Sequence, residues 1–152
     1  MKKINFLARF LKKEKVRVTK KRRLGDLGED AACKYLKERG YKILERNYRA
    51  GPHEIDAVAY KDGVIAFVEV KTRSTAENQI EPRPGSSVNR DKQQSIISAA
   101  RKYVSFRARN ARKRFDVIEV YAEYESGEYR IKEIKHLEGA FNLNTAYKGE
   151  RI

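Results

Sequence analysis

The sequence predicts an α/β domain in which helices flank a mixed β-sheet, with the elements in the order helix, three strands, helix, two strands. Two segments repeat apolar residues at helical spacing, and other segments show the alternating or continuous apolar pattern of strands. An Asp62-Gly63 pair between two apolar runs indicates a β-hairpin. This order of elements favours a helix-covered sheet over a bundle or a sandwich.

The chain has 152 residues, the size of one ordinary domain, and its charge is unevenly distributed. Residues 1–23 hold eleven lysines and arginines against one glutamate, which is +10 of the total formal charge of +14. We therefore divide the chain into a basic N-terminal extension, 1–23, and a domain, 24–152. The excess of positive charge predicts a polyanionic partner. Two alternatives to a polyanionic partner are that residues 1–23 are simply solvated or that they lie on an anionic membrane surface.

Cysteine content and hydropathy limit the kinds of metal site and the cellular location that we expect. Cys33 is the only cysteine, so an intrachain disulfide and a cysteine-based zinc site are both excluded. No apolar run approaches the length that spans a membrane. We expect a cytoplasmic protein without an integral membrane segment.

The first helix starts at Leu24, where apolar residues recur at three- and four-residue steps, and Gly40 follows as a stop signal. A first strand is predicted over residues 41–48. The hairpin strands come next, and the second is apolar enough to be a central strand buried on both faces. The hairpin and the later elements are the strands 54–60 and 64–70, a proline-containing loop 74–88, a helix 89–106, and the strands 115–122 and 129–134.

The hairpin register brings charged side chains together. A two-residue turn at Asp62-Gly63 pairs Asp56 with Glu69, whose Cβ atoms would then lie about 5 Å apart. Strand alternation places Lys71 on the same face as Glu69. A three-residue turn would make Asp56 a diagonal neighbour of Glu69, still close enough to share a cation.

Two carboxylates and a lysine in one place suit phosphodiester hydrolysis. Hard cations such as Mg²⁺ or Mn²⁺ prefer oxygen ligands and need only a few carboxylates. Beside a scissile phosphate, the Lys71 ammonium could orient the attacking water and stabilise the charge of the transition state. The alternative is a lysine that merely neutralises two surface carboxylates. Against it, Glu69 and Lys71 end an apolar run, where unpaired charge is costly.

These residues also carry a resemblance. Residues 51–56 (GPHEID) and 67–73 (FVEVKTR) resemble the PD-(D/E)XK nuclease signature, and more closely the YraN-like family of predicted endonucleases, which is related to archaeal-type Holliday junction resolvases. Further segments that resemble the family lie in the same order as in its members over residues 24–143, among them residues 25–35 (GDLGEDAACKY). The resemblance implies a restriction-endonuclease-like fold, with Asp56, Glu69 and Lys71 as the metal-binding and catalytic set.

Glu29 is a further candidate because related junction-resolving nucleases often add an acidic residue from the first helix. Its helical angle places it at the edge of the apolar face, within possible reach of the sheet. We therefore expect Glu29 to act as a metal ligand and catalytic residue. A charge that favours the helix N-terminus is the alternative. The chain departs from the family at His53, where a small residue is usual.

A second basic cluster follows the site, with no acidic residue between Lys92 and Phe115. We expect these cations, with others near the loop, to contact the phosphates of a nucleic acid, with DNA favoured. The candidate contacts are Arg73, Arg83, Lys92, Gln93, Arg101 and Lys102.

The leading hypothesis is thus a metal-dependent endonuclease that hydrolyses phosphodiester bonds in DNA and selects branched or damaged structures by shape. One alternative is a non-catalytic nucleic-acid-binding module with a nuclease-like fold. Another is a membrane- or ribosome-associated accessory protein that works through its basic N-terminus. A homodimer would suit a cut in two strands.

Overall fold

The computed structural model describes residues 20–74, 88–107 and 110–143. The order of their elements confirms the prediction: helix, three strands, helix, two strands. The elements are α1 (Lys20–Glu38), β1 (Lys42–Ala50), β2 (His53–Lys61), β3 (Val64–Ser74), α2 (Arg90–Arg107), β4 (Arg112–Glu125) and β5 (Glu128–Phe141).

The five strands form one mixed sheet in the order β1-β2-β3-β4-β5. Strands β3 and β4 are parallel, and the other neighbours are antiparallel. A parallel pair needs a crossover connection, which here contains α2. The predicted fold class is therefore confirmed, and the architecture is consistent with a restriction-endonuclease-like fold.

The sheet is covered on both faces. Helix α2 packs with Phe67 and Phe115 in one apolar cluster, and α1 packs with Val68 and Ile118 in the other. Phe67 and Val68 are both fully buried, so β3 is the central strand that its apolar sequence predicted. By alternation from Phe67, the side chains of Glu69 and Lys71 belong to the face that α2 covers.

The hairpin turn is the predicted one. Asp62 and Gly63 both have positive φ, 49° and 77°, as a two-residue turn of type I′ requires. Val58 pairs with Phe67, as expected from that turn. The ladder ends with Ala57 and Val68, however, one step before the predicted pairing of Asp56 with Glu69.

Some boundaries differ from the prediction. Helix α1 begins at Lys20, inside the segment assigned to the basic extension, because lysine and arginine are good helix formers. Strand β5 continues to Phe141 instead of ending at residue 134, because it pairs along β4 as far as Phe115. Residues 1–19 and most of the proline-containing loop, 75–87, lie outside the described residues. Neither α1 nor α2, as described, has the length and apolar character needed to cross a lipid bilayer.

Candidate active site

The candidate site opens where β2 and β3 stop pairing. Asp56 lies just beyond the last ladder pair, and the Val70 amide donates a hydrogen bond to its Oδ2 at 2.7 Å. A carboxylate has thus replaced a strand carbonyl as the acceptor for that amide. This explains why Asp56 and Glu69 are not a ladder pair, and it holds the Asp56 side chain between the two strands.

Glu69 is the buried acid of the site, with only 4% of its surface exposed. Its Oε1 lies 3.4 Å from Lys71 Nζ, and its Oε2 lies 3.4 Å from Lys92 Nζ. Charge-assisted hydrogen bonds are shorter than this, about 2.7–2.9 Å. Oε2 is buried and accepts no hydrogen bond from any described residue, so its pairing with Lys92 is one of charge alone. Glu69 therefore has capacity for a further positive partner.

The negative charge of Asp56 makes Glu69 harder to ionise. Burial, followed by the negative charge of Asp56, raises the pKa of Glu69 to about 7. Burial also raises the pKa of Asp56, against the lowering effects of the Val70 hydrogen bond and the Lys92 charge. Lys92 and Lys71 thus only partly offset the burial of Glu69 and its repulsion by Asp56. Such a site becomes fully ionised at neutral pH only when more positive charge arrives.

Glu29 lies near this pair but is not gathered with it. Burial and the charge of Asp56 raise the pKa of Glu29, whereas a hydrogen bond with Asn47 lowers it. Within residues 20–74, 88–107 and 110–143, no three histidine, cysteine or acidic side chains converge as a metal-binding group. The structure thus brings together two of the three predicted ligands, because Glu29 is carried by α1, on the face of the sheet opposite α2. Its role as a ligand stays a prediction.

A close approach of α1 to β3 brings Glu29 to the site. A Cβ atom added to Gly28 would lie 2.8 Å from Thr72 Cβ and closer still to its hydroxyl oxygen. Only glycine allows this distance between the helix and the end of β3. The neighbouring Glu29 is thereby held within electrostatic range of Asp56.

The first turn of α2 supplies the other side of the site. The Asn89 side chain accepts a hydrogen bond from the Lys92 amide at 2.9 Å, which caps the helix and fixes the backbone from which Lys92 reaches Glu69. The next residue, Gln93, donates from Nε2 to the Val88 carbonyl at 2.8 Å. Sequence reasoning placed Lys92 and Gln93 at the nucleic acid but missed the contact of Lys92 with Glu69. No local pattern could reveal that contact, because a loop separates the two residues.

The other predicted phosphate contacts have different positions. Arg73 is 17% exposed, and its Nη2 lies 3.7 Å from Oε1 of the buried Glu119. The Tyr121 hydroxyl donates to the other Glu119 oxygen at 2.8 Å. Arg73 is thus paired with a buried carboxylate, and its contact with a phosphate stays a prediction. Arg83 lies outside the described residues.

Arg101 and Lys102 are exposed on α2, towards its C-terminal half. Arg101 and Lys113 line a cavity of about 1020 Å³ between α2, the start of β4 and the end of β5. The cavity has an apolar floor that includes Ile97 and Phe115. These cations remain candidates for contact with a polyanion.

A second charged cluster, missed by sequence reasoning, surrounds Asp116. This fully buried carboxylate accepts two hydrogen bonds from Arg114 at 2.8 Å and one from the Gly139 amide at 3.0 Å, and it lies 2.8 Å from His136 Nε2. Burial alone would raise the pKa of Asp116, but these hydrogen bonds outweigh burial and lower it. Every oxygen is satisfied, in contrast to Glu69. The cluster is therefore a stabilising element, and Arg114 of the predicted basic cluster is turned inward.

Comparison with known proteins identifies the family. The family model described as uncharacterised protein family UPF0102 matches residues 28–120, a range that includes Asp56, Glu69, Lys71 and Lys92. A UPF0102 protein of Clostridium beijerinckii is 41% identical over 122 residues, which is 80% of this chain and 94% of the relative. One of Caldanaerobacter subterraneus is 38% identical over 80% of this chain and 96% of its own length. One of Chlorobaculum parvum is 43% identical over 78% of this chain and 91% of its own length. The chain therefore belongs to the uncharacterised protein family UPF0102, the YraN-like family that its motifs indicated.

Proposed function

We propose that this protein is a metal-dependent endonuclease that hydrolyses phosphodiester bonds in DNA. The observation that carries the proposal is the state of Glu69. It is a buried carboxylate beside Asp56, with one oxygen lacking a hydrogen-bond donor and with the ammonium of Lys71 at 3.4 Å. A buried acid in this state is costly for stability, and such costs are concentrated at functional sites.

The residues fit a hard divalent cation. Asp56 and Glu69 offer oxygen ligands only, and burial raises the pKa of both carboxyl groups, so a nearby cation would favour their ionised, ligating forms. Mg²⁺ usually takes one or two carboxylates, completing its shell with water and substrate phosphate, so a group of three acids is not required. Asp56 and Glu69 would hold Mg²⁺ or Mn²⁺, and Glu29 is the further acidic residue near Asp56. Such a cation supplies Lewis acidity at the phosphoryl oxygen and acidifies water.

The side chains of the chain itself supply orientation and charge. The Val70 amide fixes Asp56, and Glu69 holds the Lys71 ammonium at the edge of the site, where 37% of the lysine side chain reaches solvent. From there Lys71 can orient an attacking water and stabilise the negative charge that develops on the phosphoryl oxygens. Glu69 thus acts as a ligand and also positions the lysine.

The charge of the protein supports a nucleic acid as the substrate. The chain carries a formal net charge of +14, and Arg101 and Lys102 are exposed on the helix whose first turn faces the site. Cations on phosphates bind without reading base sequence. We therefore propose that recognition depends on the shape of the DNA, with branched or damaged DNA as the preferred class. A homodimer would allow cuts in both strands.

The test is Mg²⁺- and Mn²⁺-dependent cleavage of linear, nicked and four-way-junction DNA by wild type and Lys71→Ala. The matched control is Lys34→Ala, which removes an exposed lysine of α1 that pairs with Glu38 at 4.0 Å. Loss of one transition-state donor should slow cleavage about 100-fold or more, whereas the control should cut like wild type. Equal rates for Lys71→Ala and wild type would remove Lys71 from the mechanism.

A non-catalytic nucleic-acid-binding module is the second candidate. One observation favours it: the two lysines already balance the formal charges of Asp56 and Glu69 without any metal. In that case DNA affinity would be the same in Mg²⁺ and in chelator, and wild type would cut none of the three substrates. Cleavage of any of the three substrates in Mg²⁺ that Asp56→Asn abolishes would exclude it.

A further inference from the structure

We propose that Lys92 changes partners: it pairs with Glu69 when no metal is bound, and it contacts a backbone phosphate of the nucleic acid when a divalent cation occupies Asp56 and Glu69. Lys92 would then couple metal binding to substrate binding. This inference rests on the proposed function and adds a regulatory step to the same site.

The geometry shows a pairing that is easily exchanged. Lys71 and Lys92 each lie 3.4 Å from a different oxygen of Glu69. The oxygen facing Lys92 accepts no hydrogen bond from the described residues, so no directional contact holds the ammonium there. The Lys92 side chain is 35% exposed, and its compact ammonium sits on a flexible four-carbon stem. A partner with stronger negative charge can therefore capture it from the solvent side.

Charge balance gives the direction of the exchange. Two carboxylates and two lysines sum to zero formal charge, so a divalent cation would leave the site with an excess of +2. Lys92 would then be repelled by the cation with which it competes for Glu69 Oε2. Phosphate groups of a nucleic acid are the anions that this excess fits. Metal and nucleic acid should each increase the affinity for the other, and by the same factor.

Lys92 suits this role better than Lys71 because of its place in the fold. Lys71 follows Glu69 by two residues on β3, so strand geometry keeps the two side chains adjacent. Lys92 approaches from α2, where the Asn89 cap fixes its backbone amide. The side chain can therefore turn away while the backbone of the helix stays in place.

The experiment measures Ca²⁺ affinity by calorimetry and DNA affinity by fluorescence anisotropy, so that neither readout depends on cleavage. Wild type, Lys92→Met and Lys92→Arg are compared, with Lys34→Met, which removes an exposed lysine of α1, as the control. Lys92→Met should bind Ca²⁺ about 10-fold more tightly without DNA, and the gain in DNA affinity caused by Ca²⁺ should shrink about 10-fold. Lys92→Arg and the control should behave like wild type. Thermal unfolding in chelator verifies that each variant is folded.

Two failures are distinguishable. If wild type binds Ca²⁺ at a site that Asp56→Asn abolishes, but Lys92→Met changes neither affinity or weakens Ca²⁺ binding, Lys92 is a structural counter-ion and only this inference is overturned. If wild type binds no Ca²⁺, or binds it independently of Asp56, the metal site of the proposed function fails together with the inference.

Discussion

Replacing Glu69 by glutamine should stabilise the metal-free protein at pH 8 and change its stability little at pH 5. Burial and the charge of Asp56 raise the pKa of Glu69 from 4.5 to about 7. Between these values the native state retains a proton that the unfolded chain has released. The free energy of unfolding of wild type therefore falls as the pH rises through this interval, and the loss is complete above pH 7. Glutamine cannot ionise, so the variant avoids that loss.

The magnitude follows from the size of the interval. The pKa of Glu69 rises from 4.5 to about 7, and each pKa unit corresponds to about 1.4 kcal/mol. The loss in free energy of unfolding that the glutamine variant avoids is therefore about 3 kcal/mol. Solvent screening removes little of it because the Glu69 side chain is only 6% exposed. This figure already includes the ion pairs with Lys71 and Lys92, because both lysines lower the pKa of Glu69.

Urea unfolding in chelator at pH 5, 6, 7 and 8 measures the effect. The stability difference between Glu69→Gln and wild type should grow with pH in favour of the variant. Glu38→Gln serves as control, because Glu38 is an exposed acid of α1 that pairs with Lys34. Adding Mg²⁺ at pH 8 should stabilise wild type by mass action and leave Glu69→Gln unchanged. A stability difference that stays constant from pH 5 to pH 8 would refute the reasoning, because Glu69 would then ionise like an ordinary surface acid.

Two further substitutions test the packing around the site by thermal and urea unfolding. Gly28→Ala should destabilise the protein by about 1–3 kcal/mol, since the new Cβ overlaps Thr72. Gly25→Ala, whose new Cβ would meet no atom within 4 Å, should instead stabilise α1 by up to about 1 kcal/mol. Equal effects of the two substitutions would contradict the close approach of Gly28 to Thr72. Asp116→Asn should cost about 3 kcal/mol at pH 7 by leaving Arg114 without its carboxylate. Because the pKa of Asp116 is lowered, wild type keeps its stability advantage over Asp116→Asn above pH 3.8 and loses it as the pH falls further. A stability difference at pH 3 equal to that at pH 7 would argue against an ionised pair of Asp116 and Arg114.

Much of the architecture was predictable because its signals are local. The Asp62-Gly63 turn determines the hairpin register, and the register together with strand alternation places Glu69 and Lys71 on one face. The continuous apolar run of β3 indicated a strand covered on both sides, as found. Periodicity failed mainly at boundaries, such as the start of α1 and the length of β5, where pairing and helix propensity extend an element beyond its apolar pattern.

The details of the site depended on distances between elements. The ladder ends before Asp56 because its carboxylate accepts the Val70 amide, which a register rule cannot foresee. Arg73 pairs with Glu119, a contact that its sequence context did not indicate. The partner of each charge depends on which elements pack together, and that is not encoded in the spacing of neighbouring residues.

The sequence by itself thus determined the fold class, the hairpin and the pairing of Glu69 with Lys71, because turn chemistry and strand alternation act within a few residues. Only the tertiary structure decided that Lys92 reaches the second oxygen of Glu69 and that Glu29 lies near Asp56 without forming a three-residue metal-binding group among the described residues. Those relations arise from the docking of α2 and α1 on opposite faces of the sheet. Docking depends on the shape of the whole packed core, so it emerges only once the complete chain has folded.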